Sequence, residues 1–187
     1  MLRSLMSLSV RQPWADFIVN GIKDVENRAT DTKKRGILLI HASKTYDTDW
    51  TSKLSPDTLA IAKKYIARKM ISTRGTHKME TGAIVGACLL TDATFYLRSM
   101  PYRSPWGQYD MCHWQLQKAI RFTRPLKIGG LLGIFRTGLK FFYQNIKPSD
   151  LKSFKELTIL AAELGYQIPE IPPVEIKQEI LCQTSKK

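Results

Sequence analysis

Hydrophobic and polar positions change period several times along the chain. Leu8 and Val10 alternate with polar neighbours, which predicts a short strand, and Pro13 then supplies the fixed φ of a first helical position. Trp14, Phe17, Ile18 and Gly21 fall at i, i+3, i+4 and i+7, one face of two helical turns, with Gly21 as a left-handed stop. Lys23 to Arg28 reads as a second strand, with Lys23, Val25 and Asn27 on one side and Asp24, Glu26 and Arg28 on the other. Five of its six residues are polar, so it is expected to line a surface or cleft. Residues three apart on a strand face opposite ways. Lys23 is therefore expected to face the cleft alone, with Glu26 paired to a neighbouring cation.

Arg35 to Lys44 combines a glycine start, a continuous apolar run and a polar exit, the pattern of a buried strand delivering His41, Ser43 and Lys44 to an edge. Thr45 to Trp50 is too polar for core strand and is read as a loop. Ser55-Pro56-Asp57 predicts a capped helix start, followed by the stripe Leu59, Ala62, Ile66 and Met70, with Lys64 and Arg68 on the solvated side. Ser72 to Thr81 has no period and reads as a polar loop, and Gly82 to Leu90 as a buried strand. Tyr96 to Tyr109 is an aromatic, proline-containing loop of the kind that closes a cleft or forms a structural lid. His113, Gln115 and Gln117 alternate with Trp114 and Leu116, which predicts a strand with one wet and one dry face. Gly129 to Phe135 reads as the last apolar strand of the sheet. Pro148-Ser149-Asp150 starts a further helix, with Phe154, Leu157, Ala161 and Leu164 as its stripe and Gly165 as its stop. Ile168 to Val174 reads as extended, and the last residues as a fraying end.

The order RQPWA, GIKDVENR and RGILLIHASK resembles the opening of an ASCH domain, the RNA-linked relative of the PUA domain. Gly82-Ala83-Ile84-Val85-Gly86, Trp106 with His113-Trp114-Gln115-Leu116, Arg124-Pro125-Leu126 and Gly130 to Phe135 continue the resemblance to about Thr137. It implies an α+β fold: a small PUA-like β-barrel with flanking helices and a basic cleft. Residues 1–140 then form the ASCH domain, and 141–187 a helical and extended C-terminal appendage.

Among the chain's 187 residues, 43% are apolar and 24% charged, an ordinary globular composition, but the net charge of +13 and a pI near 9.8 are not ordinary. Such a balance points to a polyanionic partner, either nucleic acid or an anionic membrane surface. No apolar run reaches the length of a membrane span, so no membrane partner and a cytoplasmic location are expected. The resemblance to the ASCH family, together with the charge, implies RNA or a nucleotide as the partner. Cys88, Cys112 and Cys182 are too few and scattered for a zinc cluster or a disulfide framework. We expect no metal and no cofactor. Between Arg98 and Lys140, eight Lys or Arg residues face a single acid, Asp110, which places more than half of the net charge in one stretch.

The expected nucleic-acid contacts are Lys23, Arg28, Arg35, His41, Ser43, Lys44, Arg103, Trp106, Tyr109 and His113. The cations suit phosphate or ribose, and Trp106, Tyr109 or Tyr102 would stack a base. The plainer reading makes Glu26 and Arg28 a strand-edge ion pair, His41 a hydrogen-bonded strand-end histidine, and Trp14 and Trp114 core aromatics. Catalysis is the alternative, with Lys23 and Glu26 as the catalytic residues. Some small ASCH-like enzymes deacetylate acetylated cytidine with a lysine, a threonine three residues later and a distant glutamate. Lys23 matches the lysine, but Glu26 stands where that threonine would be. Other ASCH proteins are associated with RNA cleavage, for which Lys23 or Lys44 would stabilise a phosphorane and His41 or His113 would move a proton. The two function readings are thus an RNA or modified-nucleoside binding protein, and a hydrolase acting on a nucleoside amide or an RNA phosphodiester.

Overall fold

The computed structural model describes residues 4–72, 79–101 and 104–170. Tyr102, Arg103, most of the 72–81 loop and the segment from Ile171 onward lie outside the described residues. Six strands and four helices follow one another: β1 (Ser4–Gln12), α1 (Trp14–Val19), β2 (Val25–Arg28), β3 (Gly36–Tyr46), α2 (Pro56–Ser72), β4 (Ala83–Tyr96), β5 (Met111–Lys127), β6 (Ile134–Gly138), α3 (Leu139–Asn145) and α4 (Pro148–Glu163). They form one sheet in the order β2-β5-β4-β3-β1-β6. Among the described residues, β1 and β3 pair in parallel and the other neighbours are antiparallel.

Both faces of the central strands are covered, which is why β3 reads as a continuous apolar run. Leu38, Ile40 and Ala42 point to one side, into a cluster with Leu8, Val10, Ile18, Val19, Val85 and Trp114 that α1 covers. Ile37 and Leu39 point to the other, where Phe142, Leu151, Phe154, Leu157 and Ala161 bring α3 and α4 onto the sheet. Asp150 fastens α4 to β5, its carboxylate accepting from the Thr123 amide at 2.9 Å and meeting the Thr123 hydroxyl at 3.0 Å. Gly21 and Gly165 both take positive φ, as expected of helix stops.

The sheet is mixed α+β as expected, but its strand ladder is not closed, so "barrel" describes it only loosely. A side chain links β2 to β1 without a strand ladder between them: the Arg28 guanidinium, at the end of edge strand β2, donates to the Ser9 carbonyl of β1 at 3.0 Å. Some boundaries differ from the sequence expectation. Pro13 stands just before the helix rather than at its first position. The polar 45–50 stretch is not all loop, because Tyr46 still pairs with Gln12 in β3 and Trp50–Lys53 forms a 3-10 turn. The last strand starts at Ile134, not Gly129; Gly129, Gly130 and Gly133, the last at φ 72°, keep the preceding residues in a loop.

Candidate nucleic-acid cleft

A cleft opens where β1, β2 and β3 end, in two joined chambers that share Trp14, Glu26 and Asn27. The smaller is a recess of about 140 Å³ with Trp14 and Trp106 in its lining beside Lys23, Glu26, Asn27 and Lys53. The larger is a trough of about 650 Å³ that adds Ser9, Arg11, Arg28, His41, Ser43 and Lys44, with Gly129 to Leu132 forming its rim. Its volume lies within the roughly 300–1,000 Å³ of small-molecule sites.

Sequence places Lys23 and Glu26 on opposite faces of a strand, and here the structure corrects it. Lys23 is not on the strand at all: β2 begins at Val25, so the strand's alternation never applies to it. Its ammonium therefore turns back to Glu26 Oε2 at 3.3 Å and also donates to the Val25 carbonyl. On the strand itself, Glu26 and Arg28 share a face as i and i+2, and Arg28 Nη2 meets Glu26 Oε1 at 3.1 Å. One carboxylate thus bridges two cations. Lys23 is 4% exposed and Glu26 8%. Burial pushes the Lys23 pKa below the ordinary lysine value, against the pull of Glu26 and Asp24. Lys23 also lies 5.9 Å from the Trp14 ring centroid, and Arg28 5.7 Å from that of Trp114.

Two polar side chains to which the sequence assigned no role, Asn27 and Asp47, shape the recess. Asn27 donates its side-chain amide to the Trp106 carbonyl at 2.8 Å and accepts from the Gln108 amide at 2.9 Å, which fixes the 104–109 segment over the recess. Asp47 accepts from Trp14 Nε1 at 2.8 Å and from Lys53 at 2.6 Å. Burial raises the Asp47 pKa, but these bonds outweigh it and hold the carboxyl below its usual value. Trp106 is buried against Phe17, ring centroids 5.6 Å apart. It offers the recess a wall rather than an open stacking platform.

His41 sits in the trough, its Nδ1 3.1 Å from Ser9 Oγ and its Nε2 3.1 Å from the Ile128 carbonyl. Ser43 donates to the Thr45 carbonyl at 3.1 Å. Lys44 and Arg11 are exposed along the trough.

The remaining expected residues are elsewhere. Arg35, at the opposite end of β3, pairs with Asp92 at 2.9 Å. His113 lies under the 104–109 segment, not on a wet face: it is 6% exposed, stacks on Tyr96 with centroids 4.3 Å apart, and bonds the Gln108 carbonyl at 2.7 Å. The loop covers that face of β5, which alternation alone cannot reveal. Tyr109 is exposed and lines neither chamber. Nor do the seven described cations among the eight between Arg98 and Lys140. Arg121 pairs with buried Asp16 and Lys127 with Glu80. Among the described residues, no group of three His, Cys, Asp or Glu is arranged to hold a metal, and no helix is long and apolar enough to cross a membrane.

No curated protein sequence matches the chain. The family model for the ASCH domain matches residues 8–126, a span that runs from the middle of β1 almost to the end of β5 and includes all the polar residues of the recess. The chain therefore belongs to the ASCH family.

Proposed function

We propose that this protein binds RNA or a modified nucleoside, with a base in the recess and its phosphates along the trough. The observation that carries the reading is the way the chambers join. A recess with tryptophans and the buried Lys23–Glu26 pair in its lining abuts, at Trp14, Glu26 and Asn27, a trough carrying partly buried Arg28 and exposed Arg11 and Lys44. Aromatic walls and paired polar groups suit a base, whose edges need fixed hydrogen-bond partners, and exposed cations with no ion pair among the described residues suit phosphate. Lys23 then acts on the base side. Its charge is buried and already met by Glu26, which makes it a poor phosphate contact.

Fluorescence anisotropy with a single RNA strand of about four nucleotides, short enough to stay in the cleft, tests this. Lys44→Glu and Arg11→Glu should weaken binding tenfold or more together, while Lys155→Glu, exposed on α4, should change it much less. Equal losses from all three would place binding outside the cleft. The hydrolase reading keeps one supporting observation, the 3.3 Å approach of Lys23 to Glu26 in the recess. Turnover of acetylated cytidine, abolished by Lys23→Ala with the fold intact, would establish it.

A further inference from the structure

We propose that Ser9 and His41 form a nucleophile and base pair in the trough wall, acting on an acyl ester whose alcohol half carries phosphate. The pair itself is independent of the binding reading above; only the phosphate on the alcohol rests on it.

The hydrogen bonds set the roles. The Ile128 carbonyl can only accept, so His41 Nε2, 3.1 Å away, carries the ring hydrogen. In the neutral ring Nδ1 then has the free lone pair, and the Ser9 hydroxyl 3.1 Å away donates to it. A hydroxyl bonded to a base, with the base held by a third group, is the arrangement of an activated nucleophile. Burial lowers the His41 pKa and so keeps the ring neutral. The ring is also locked in place. Phe135 meets it edge-on with centroids 5.6 Å apart, and a Cβ built on Gly130 would fall 2.2 Å from His41 Cε1 and 2.8 Å from Ser9 Oγ. Only glycine fits there, so the rim loop shelters the base. Ser9 itself stays half-buried and lines the trough, where a substrate would reach it.

The orienting group argues for an ester. A neutral carbonyl stabilises the imidazolium less than the aspartate of a full triad, so the leaving group must be better than an amine. Arg11 and Lys44 along the same trough favour an anionic alcohol. In the first step Ser9 Oγ bonds to the acyl carbon and its proton passes to His41 Nδ1. The carbon–oxygen bond to the alcohol breaks, and the alcohol leaves with that proton. A water then gives its proton to Nδ1 and attacks the acyl carbon. The bond to Ser9 breaks, the serine recovers the proton, and a carboxylic acid is released.

The full-length protein treated with a reporter-tagged fluorophosphonate should gain one adduct, on Ser9, with loss of fluoride. The adduct should be absent in Ser9→Ala and form at least about 100-fold more slowly in His41→Gln, the usual scale of a general base. Absence of the adduct on protein that circular dichroism shows folded would overturn the pair, as would an equal rate in folded His41→Gln. Should His41→Gln not fold, Ser9→Cys replaces it: a thiol beside the same imidazole should take iodoacetamide at pH 7 faster than free cysteine, and one no faster overturns the pair. RNA binding separates the two readings. An adduct on a protein that binds no RNA keeps the pair and removes the phosphate-bearing substrate, whereas RNA binding without an adduct removes the pair and leaves the cleft.

Discussion

Replacing Glu26 by glutamine keeps the shape of the recess and removes the charge on which two cations depend. Breaking a buried ion pair from one side costs about 3–5 kcal/mol, because the remaining charge is stranded. Here relief is available to both cations. Arg28 is less deeply buried and keeps its bond to the Ser9 carbonyl and its place near Trp114. Lys23 keeps the Val25 carbonyl, and in the limit it sheds its proton. Leaving the ordinary lysine value of 10.5 for pH 7 costs at most about 4.8 kcal/mol, at 1.36 kcal/mol per unit. We therefore expect Glu26→Gln to lose about 2–4 kcal/mol of stability at pH 7.

The pH dependence identifies the cause. Burial already lowers the Lys23 pKa in the folded protein, and removing Glu26 lowers it further. Between that depressed value and 10.5 the unfolded chain binds more protons than the folded one, so stability rises with pH across this window. The parent shares that rise above its own folded value, but between the mutant's lower folded value and the parent's only the mutant has lost the Lys23 proton. The deficit of Glu26→Gln should therefore shrink between pH 7 and 9.5 as pH passes through that interval, and adding Lys23→Met should recover at least half of it at pH 7. Urea unfolding at the two pH values measures both. A deficit below about 0.5 kcal/mol, or one unchanged with pH, would refute the stranded-charge argument.

Phe154→Ala should cost about 3–5 kcal/mol in urea unfolding, because the ring is fully buried and packs 4.6 Å from Phe142; a loss under 1 kcal/mol would mean that α4 contributes little to the core. For the same reason a chain ending at Lys147 should lose cooperative unfolding, and a sharp, parent-like transition would count against it. Burial lowers the folded His41 pKa below 6.5, so the parent should lose stability as pH falls from 6.5 through the folded value. His41→Gln should lack that component of the pH profile, and a profile identical to the parent's would assign it elsewhere.

Legibility in the sequence followed the range of the interactions. The apolar run of β3, the Ser55-Pro56 helix start and the Gly21 and Gly165 stops are local patterns, and each appears where the pattern puts it. Lys23 and Glu26 escaped local reasoning by two residues: alternation holds only inside a strand, and β2 begins at Val25. His113 escaped it because a loop, not a strand, covers its face. Asp16 with Arg121, 105 positions apart, and Asn27 with the 106–108 backbone have no periodic signal at all. What the sequence lacked was the folding of distant loops onto the cleft, not the residue types within it.

The charge leads to the last prediction. More than half of the net +13 lies between Arg98 and Lys140, yet none of the described cations there lines the cleft. The cleft offers phosphates chiefly Arg11 and Lys44, since Arg28 is engaged by Glu26. A single strand of about four nucleotides, confined to the cleft, should show a slope of log affinity on log salt near −1.4, two contacts at about −0.7 each. A strand of about twenty nucleotides would leave the trough and meet cations of the wider surface, such as Arg124 and Lys140, so its slope should be at least twice as steep. Equal slopes for the two lengths would show that the dispersed charge contributes nothing to binding, and that the basic composition marks solubility rather than the nucleic-acid surface.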